Sequence, residues 1–137
     1  MAKKYIERYN SFKDSLSSLE KLKERDITDD FVISGAVQKF SLTFDISWKV
    51  MKDIITNYHG LSDFATGSPR ETLKAAKSVG LIKDDIWLDM LFDRNNLVHD
   101  YDGLLANACV VKIRDIYIPV FEEFNESAGK IIKMMQN

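Results

Sequence analysis

The sequence has little of several things. It holds one cysteine, two histidines, two prolines and six glycines in 137 residues. The lone Cys109 cannot close an internal disulfide, and no second cysteine stands at metal-ligand spacing, which favours a reducing compartment. No apolar run approaches the roughly 20 residues that span a bilayer. The first residues, Met-Ala-Lys-Lys-Tyr-Ile-Glu-Arg, carry charge where a secretory signal would carry an apolar core. A cytoplasmic protein is the expectation. Excess charge of one sign is also absent: the net charge of −2 advertises no global field for nucleic acid, although a local basic patch stays open. Stretches of alternating apolar and polar residues long enough for a strand are missing.

What is present is helical periodicity. Hydrophobic residues make up 45% and charged residues 29%, which suits a single packed domain over residues 1–137. Tyr5, Tyr9, Phe12, Leu16, Leu19 and Leu22 repeat at threes and fours, predicting a helix over about 3–25. Thr28 or Asp29 can cap the next, a long helix over about 30–58 with its seam at Ile33, Val37, Phe40, Phe44, Trp48, Met51 and Ile55. Phe31, Leu42 and Ile46 widen that seam, so cover on a second side is expected, and Gly35 within it reads as a point of close packing. Gly60 closes the helix in the left-handed position. Ser68-Pro69-Arg70-Glu71 opens a short helix with a capping serine, a first-turn proline and an acid at the capping-box position, and Gly80 stops it. Asp84 or Asp85 begins a fourth helix. A last helical region covers about 105–135, with a kink or break near 115–119 ahead of Pro119. The fold class is an all-α, mostly up-and-down four-helix bundle with one additional short helix.

The densest chemistry lies in Asp93-Arg94-Asn95-Asn96-Leu97-Val98-His99-Asp100-Tyr101. The helix before it shows polar residues at Asp85, Asp89, Asp93, Asn96 and Asp100, an acidic ridge beside a wide apolar arc that includes Phe92. Arg94 falls on the apolar side. It must be paired, or must face a cleft that holds an anion. His99 follows five residues later, about 140° away on a straight helix. The two serve one site only if the helix bends or ends between them, or if two copies of the chain bring their motifs together.

A histidine near neutral pKa can take the proton of a ribose 2′-hydroxyl, and an arginine can stabilise a phosphate as it becomes pentacoordinate. Arg94, His99 and Tyr101 therefore suit metal-independent RNA cleavage. The plain alternative is an arginine paired with a buried acid and a histidine at a helix end. Lys49, Lys52, Arg70, Lys74 and Lys77 are candidates for a phosphate groove with Trp48 as a stacking face, against solvated helix surface and core indoles at Trp48 and Trp87. The Asp85–Asp89–Asp93 ridge is a candidate for a metal or a basic partner, against a solvated face. Gly67-Ser68 with Asp84-Asp85 does not make a nucleotidyltransferase centre, because the serine caps a helix and no strand is present to set the carboxylates.

Several separated motifs carry a family likeness. Phe40-Ser41-Leu42-Thr43-Phe44-Asp45-Ile46-Ser47-Trp48-Lys49 with Lys52, Ser68-Pro69-Arg70-Glu71, Gly80-Leu81-Ile82, Trp87-Leu88-Asp89-Met90, Asp93-Arg94-Asn95, His99 and Tyr101 follow in order. Over roughly residues 5–135 the chain resembles the nucleotidyltransferase substrate-binding family of the HEPN superfamily, whose toxin members share the R-x-x-x-x-H-x-Y pattern of Arg94, His99 and Tyr101. The resemblance implies a HEPN-like homodimer with two such segments facing one cleft. It implies a partner, a separate minimal nucleotidyltransferase of the MNT type encoded nearby, as in toxin–antitoxin-like modules. The substrate or nucleotide residues are then Arg94, Asn95, His99, Tyr101, Trp48, Lys49 and Lys52, with nucleotide or RNA in the dimer cleft. In related pairs the bundle is a ribonuclease, here with Arg94 and His99 as catalytic residues, silenced by adenylyl groups on the tyrosine that corresponds to Tyr101. No metal and no cofactor are expected.

Overall fold

The structure is a computed structural model and describes residues 4–60, 67–100 and 103–136. Among these residues it is helical, with no strand. Helix α1 spans Lys4–Glu20 and tightens into a 3-10 turn at Lys21–Glu24. The others are α2 (Asp30–Asn57), α3 (Pro69–Ser78), α4 (Ile86–Leu97), α5 (Leu104–Lys112) and α6 (Ile118–Met135). A π-turn at Ile113–Tyr117 joins α5 to α6. The four-helix bundle with a short extra helix is therefore what the chain forms, the last long helix being α5 and α6 in series.

Local sequence signals explain the boundaries. The Asp29 side chain accepts from the N–H groups of Phe31 and Val32, satisfying two of the donors that open α2. Ser68 Oγ accepts from Glu71 N at 3.2 Å with Pro69 in the first turn. Glu71 answers by accepting from the Ser68 hydroxyl rather than from its backbone. Gly60 and Gly80 have φ of 74° and 80°, where a side chain would strain the backbone. The expected break before Pro119 is the π-turn: Ile118 N bonds to Ile113 O, five residues back, and the proline, which has no N–H to give, enters the first turn of α6.

Helix α2 is the hub, in contact with α1, α3, α4, α5 and α6. Arg8–Asp53, Ser15–Thr43 and Ser18–Lys39 cross-link it to α1 with the numbers running in opposite senses, so the two helices are antiparallel. Tyr5 to Met135, Tyr9 to Asn125 and Lys23 to Glu122 set α1 against α6 in the same manner. The core is aromatic. Phe40 stacks on Tyr117 at 5.2 Å, and Trp87 meets Phe121 and Phe124 edge-on at 5.6 and 5.5 Å. Such pairs add about 0.5–1.5 kcal/mol each beyond the area they bury.

Three expectations fail here. Gly35 is not a close-packing point, because a Cβ built there meets nothing within 4 Å. The tight glycine is Gly129, where a Cβ would lie 2.6 Å from the Tyr9 hydroxyl. The second cover expected over α2 is incomplete, since Phe31 is 90% exposed and Leu42 55%. The acidic ridge of α4 is also misphased. Asp93 is buried and Phe92 is 67% exposed, so the two exchange the places that periodicity gave them. Periodicity assigns carboxylates to solvent by default. Asp93 departs from the default because Tyr117 and Lys112 both donate to it.

Candidate functional site

The end of α4 places the motif. Asp93 and Arg94 are consecutive and point into different surroundings. On the inner side, Asp93 Oδ2 accepts from the Tyr117 hydroxyl and from Lys112 Nζ at 2.8 Å, tying α4 to the π-turn and α5. Burial and then the bond to Asp93 push the Tyr117 phenol above its ordinary pKa. Burial, followed by the nearby Asp93 charge, pushes the Cys109 thiol up to about 12, leaving it protonated and unreactive at neutral pH.

On the outer side, Arg94 is half-buried. Its Nη2 donates to Asp45 Oδ2 on α2 at 2.9 Å, and its Nη1 to Asn95 Oδ1 at 3.1 Å. The cation on this side is thus paired, through a partner that is itself only half-buried. Helix α4 then ends at Leu97, with Val98 as its cap and His99 N bonded to Asn96 O. The helix ends between Arg94 and His99, one of the ways the angular separation can be relieved. His99 is exposed, and its imidazole has no partner among the described residues. Asp100 turns the chain: its two carboxylate oxygens accept from Leu105 N and Ala106 N, capping α5 behind Gly103 at φ 76°. Tyr101 lies outside the described residues.

A cavity of about 560 Å³ opens below this turn, lined by Leu97, Asp100 and Gly103 with Ser34 and Gln38 of α2. Another, of about 310 Å³, lies further along α2 and is lined by Arg8, Trp48, Lys49, Lys52, Asp53, Thr56 and Asn57. Trp48 is therefore not a core residue like Trp87, which is 2% exposed. It is half-buried, with the Lys49 and Lys52 ammonium groups 5.9 and 5.5 Å from its ring. Ser34, Gln38, Asp45, Trp48 and Lys52 recur at helical spacing, so one stripe of α2 joins both cavities and the Arg94–Asp45 pair.

Other candidates are not brought to this place. Arg70 and Lys74 are exposed on α3, outside the lining of both cavities, and Lys77 pairs with Asp85 at 2.7 Å. Asp85 and Asp89 are exposed while Asp93 is buried, and no group of three metal-ligating side chains exists among the described residues. No helix there is long and apolar enough to cross a membrane. Sequence reasoning missed Asp45 as the partner of Arg94, Asp100 as a cap and Arg8 as a lining cation. Only the α2 stripe hinted at the first.

With this geometry in place, comparison with known proteins defines the class. A crystal structure of a Thermus thermophilus protein has the same helical fold, with a TM-score of 0.68 at 22% identity, covering 92% of this chain and 99% of that one. Residues 7–130 match the model of the family described as nucleotidyltransferase substrate binding protein like, and the chain belongs to that family. It is also 32% identical over 94 residues to a Haemophilus influenzae protein described as "Probable ribonuclease HepT". That match takes in 67% of this chain, which spans 64% of the relative's length.

Proposed function

We propose that this chain is a helical subunit that pairs with a separate minimal nucleotidyltransferase and contributes to its substrate site. It does so as a homodimer, with the Arg94–His99 segments of two copies facing a common cleft. The observation that carries this reading is the company the motif keeps. Phe92 and Val98, 67% and 63% exposed, flank Arg94 and bracket the helix end beside His99. Exposed apolar side chains beside a cation and an imidazole suit a face that a second chain covers. Trp48, Lys49 and Lys52 stand on the same side of α2 as the Arg94 partner Asp45 and supply the anion-binding part of the site.

A second reading rests on the name of the Haemophilus relative and on the exposed His99 imidazole, which has no partner among the described residues: a metal-independent ribonuclease. His99 takes the 2′-hydroxyl proton, the 2′-oxygen attacks the adjacent phosphorus, Arg94 leaves Asp45 to hold the charge of the pentacoordinate phosphate, and the P–O5′ bond breaks to give a 2′,3′-cyclic phosphate and a 5′-oxygen that takes the proton back from the imidazolium. Transfer of an adenylyl group from ATP to the Tyr101 hydroxyl by the partner, with pyrophosphate leaving, would add a charged nucleotide two residues after His99 in sequence and switch the activity off.

Expression of the chain alone and together with a minimal nucleotidyltransferase encoded beside it tests both readings. The pairing reading expects a stable complex on size exclusion. The nuclease reading expects RNA cleavage by the lone chain that is lost in His99→Ala, and an intact-mass gain of adenylyl groups on co-expression that Tyr101→Phe abolishes. A chain that stays monomeric, binds no such partner and leaves RNA intact defeats both.

A further inference from the structure

The groove beside Trp48 is set apart by its charge and by its polar lining. Three cations, Arg8, Lys49 and Lys52, line it against one carboxylate, Asp53. Arg8 reaches it from α1, held by Asp53 Oδ1 at 2.8 Å. Asp53 Oδ2 and Thr56 Oγ1 are closed off from solvent and have no hydrogen-bond partner among the described residues, so a ligand in the groove does not reach them. Burial pushes the Asp53 carboxyl above its ordinary pKa in spite of Arg8. The groove therefore combines a surplus of positive charge with an exposed acceptor in its lining, Asn57, whose amide nitrogen donates to Asp53 O at 2.9 Å and leaves Oδ1 for a ligand donor. A ligand that carries hydroxyl donors beside its phosphates, as a ribonucleotide strand does, meets both demands.

Its position supplies the direction. Asp45, which holds Arg94, and Lys52 are seven residues apart on one stripe of α2, about 10 Å at 1.5 Å per residue. That is on the order of three nucleotide steps at a stacked rise of about 3.4 Å. Charged grooves with a neighbouring aromatic face are how proteins track a single strand without reading its sequence.

We propose that the groove formed by Arg8, Trp48, Lys49 and Lys52 holds the backbone of single-stranded RNA whose scissile phosphate sits at Arg94, about three nucleotides away. This rests on the nuclease reading of Arg94 and His99. The groove residues bind and orient; none of them touches the reacting atoms.

The test uses the full chain, a labelled RNA of about eight nucleotides, a dinucleotide too short to reach the groove, and the DNA analogue of the longer strand. The variant Lys49→Ala/Lys52→Ala removes two phosphate contacts. It is expected to weaken RNA binding about tenfold and to reduce the slope of log K against log salt by about 1.4, at roughly 0.7 per contact on single strands. The eight-nucleotide RNA should be cleaved with a raised KM and little change in kcat, and the dinucleotide at the parental rate. Arg70→Ala/Lys74→Ala on α3 should match the parent throughout. DNA should bind the parent more weakly than RNA. An unchanged salt slope in the groove variant, equal losses on both substrate lengths, or equal binding of DNA and RNA overturns the proposal. Failure of the parent to cleave either RNA is a different result: it removes the nuclease reading itself. Thermal melts of each variant keep a folding defect from passing as a binding one.

Discussion

Asp93 and Arg94 are neighbours in sequence, and each makes an ion pair, yet the two pairs serve the molecule in different ways. Asp93 is 5% exposed and bonds to a buried tyrosine and to a lysine. The Arg94–Asp45 pair leaves its side chains 33% and 30% exposed. A shielded carboxylate that loses its partners strands buried polar atoms at a cost of several kcal/mol. A half-exposed pair is screened by water, contributes about 0–1 kcal/mol, and can be opened by a competing anion at little cost. One peptide bond thus separates a group that fixes helix α4 from a group free to meet a ligand.

The widest split between them should come from Arg94→Ala. Under the nuclease reading it lowers kcat by about 100- to 1,000-fold, as loss of a charge-stabilising donor does, while denaturant unfolding moves by less than about 1 kcal/mol. Asp93→Ala should do the reverse at the level of the fold. It strands the Tyr117 hydroxyl and should cost about 3 kcal/mol in the same unfolding experiment. Cys109, now freed of the Asp93 charge and less tightly covered, should also react faster with a thiol reagent in the native state. Tyr117→Phe keeps the ring stacked on Phe40 and removes one donor to Asp93, so a loss of about 1–2 kcal/mol is expected.

The smallest effect is one of pH. The bond to Asp93 raises the Lys112 pKa above its ordinary 10.5. The folded chain then holds this proton more tightly than the unfolded chain does. The resulting stability is fully present below 10.5 and is lost as pH rises through the higher folded value. Unfolding measured between pH 9 and about 12 should show an alkaline loss in the parent to which the raised Cys109 thiol and Tyr117 phenol also contribute, and Lys112→Met should lessen that loss without abolishing it. An alkaline limb unchanged in that variant would assign the loss to other groups.

The contrast also marks where the sequence could be read and where it could not. Helix ends are local. Asp29, Ser68-Pro69, Gly60 and Gly80 act on backbone groups within a few residues, and each is found where its chemistry puts it. The break at Pro119 follows from a missing N–H in the same way. The motif at the end of α4 was visible because scarce residue types gather there. Its two ion pairs were not, since Lys112 lies 19 residues from Asp93 and Asp45 lies 49 from Arg94. Periodicity treats a carboxylate as solvent-facing until a distant donor is known, and so it exchanged Asp93 with Phe92. The glycines failed for a related reason: whether Gly35 or Gly129 admits a side chain depends on a neighbour from another helix, here Tyr9.

The π-turn at Ile113–Tyr117 winds an additional residue into what would otherwise be one uniform rod. Everything after it is rotated by about 100° relative to everything before. Helix α5 can therefore pack on α2 and α4 while α6 packs on α1 and α2, and a single stretch of chain serves as two differently aimed walls. Excising one residue there would restore a regular spiral and turn one of those walls away from its neighbour.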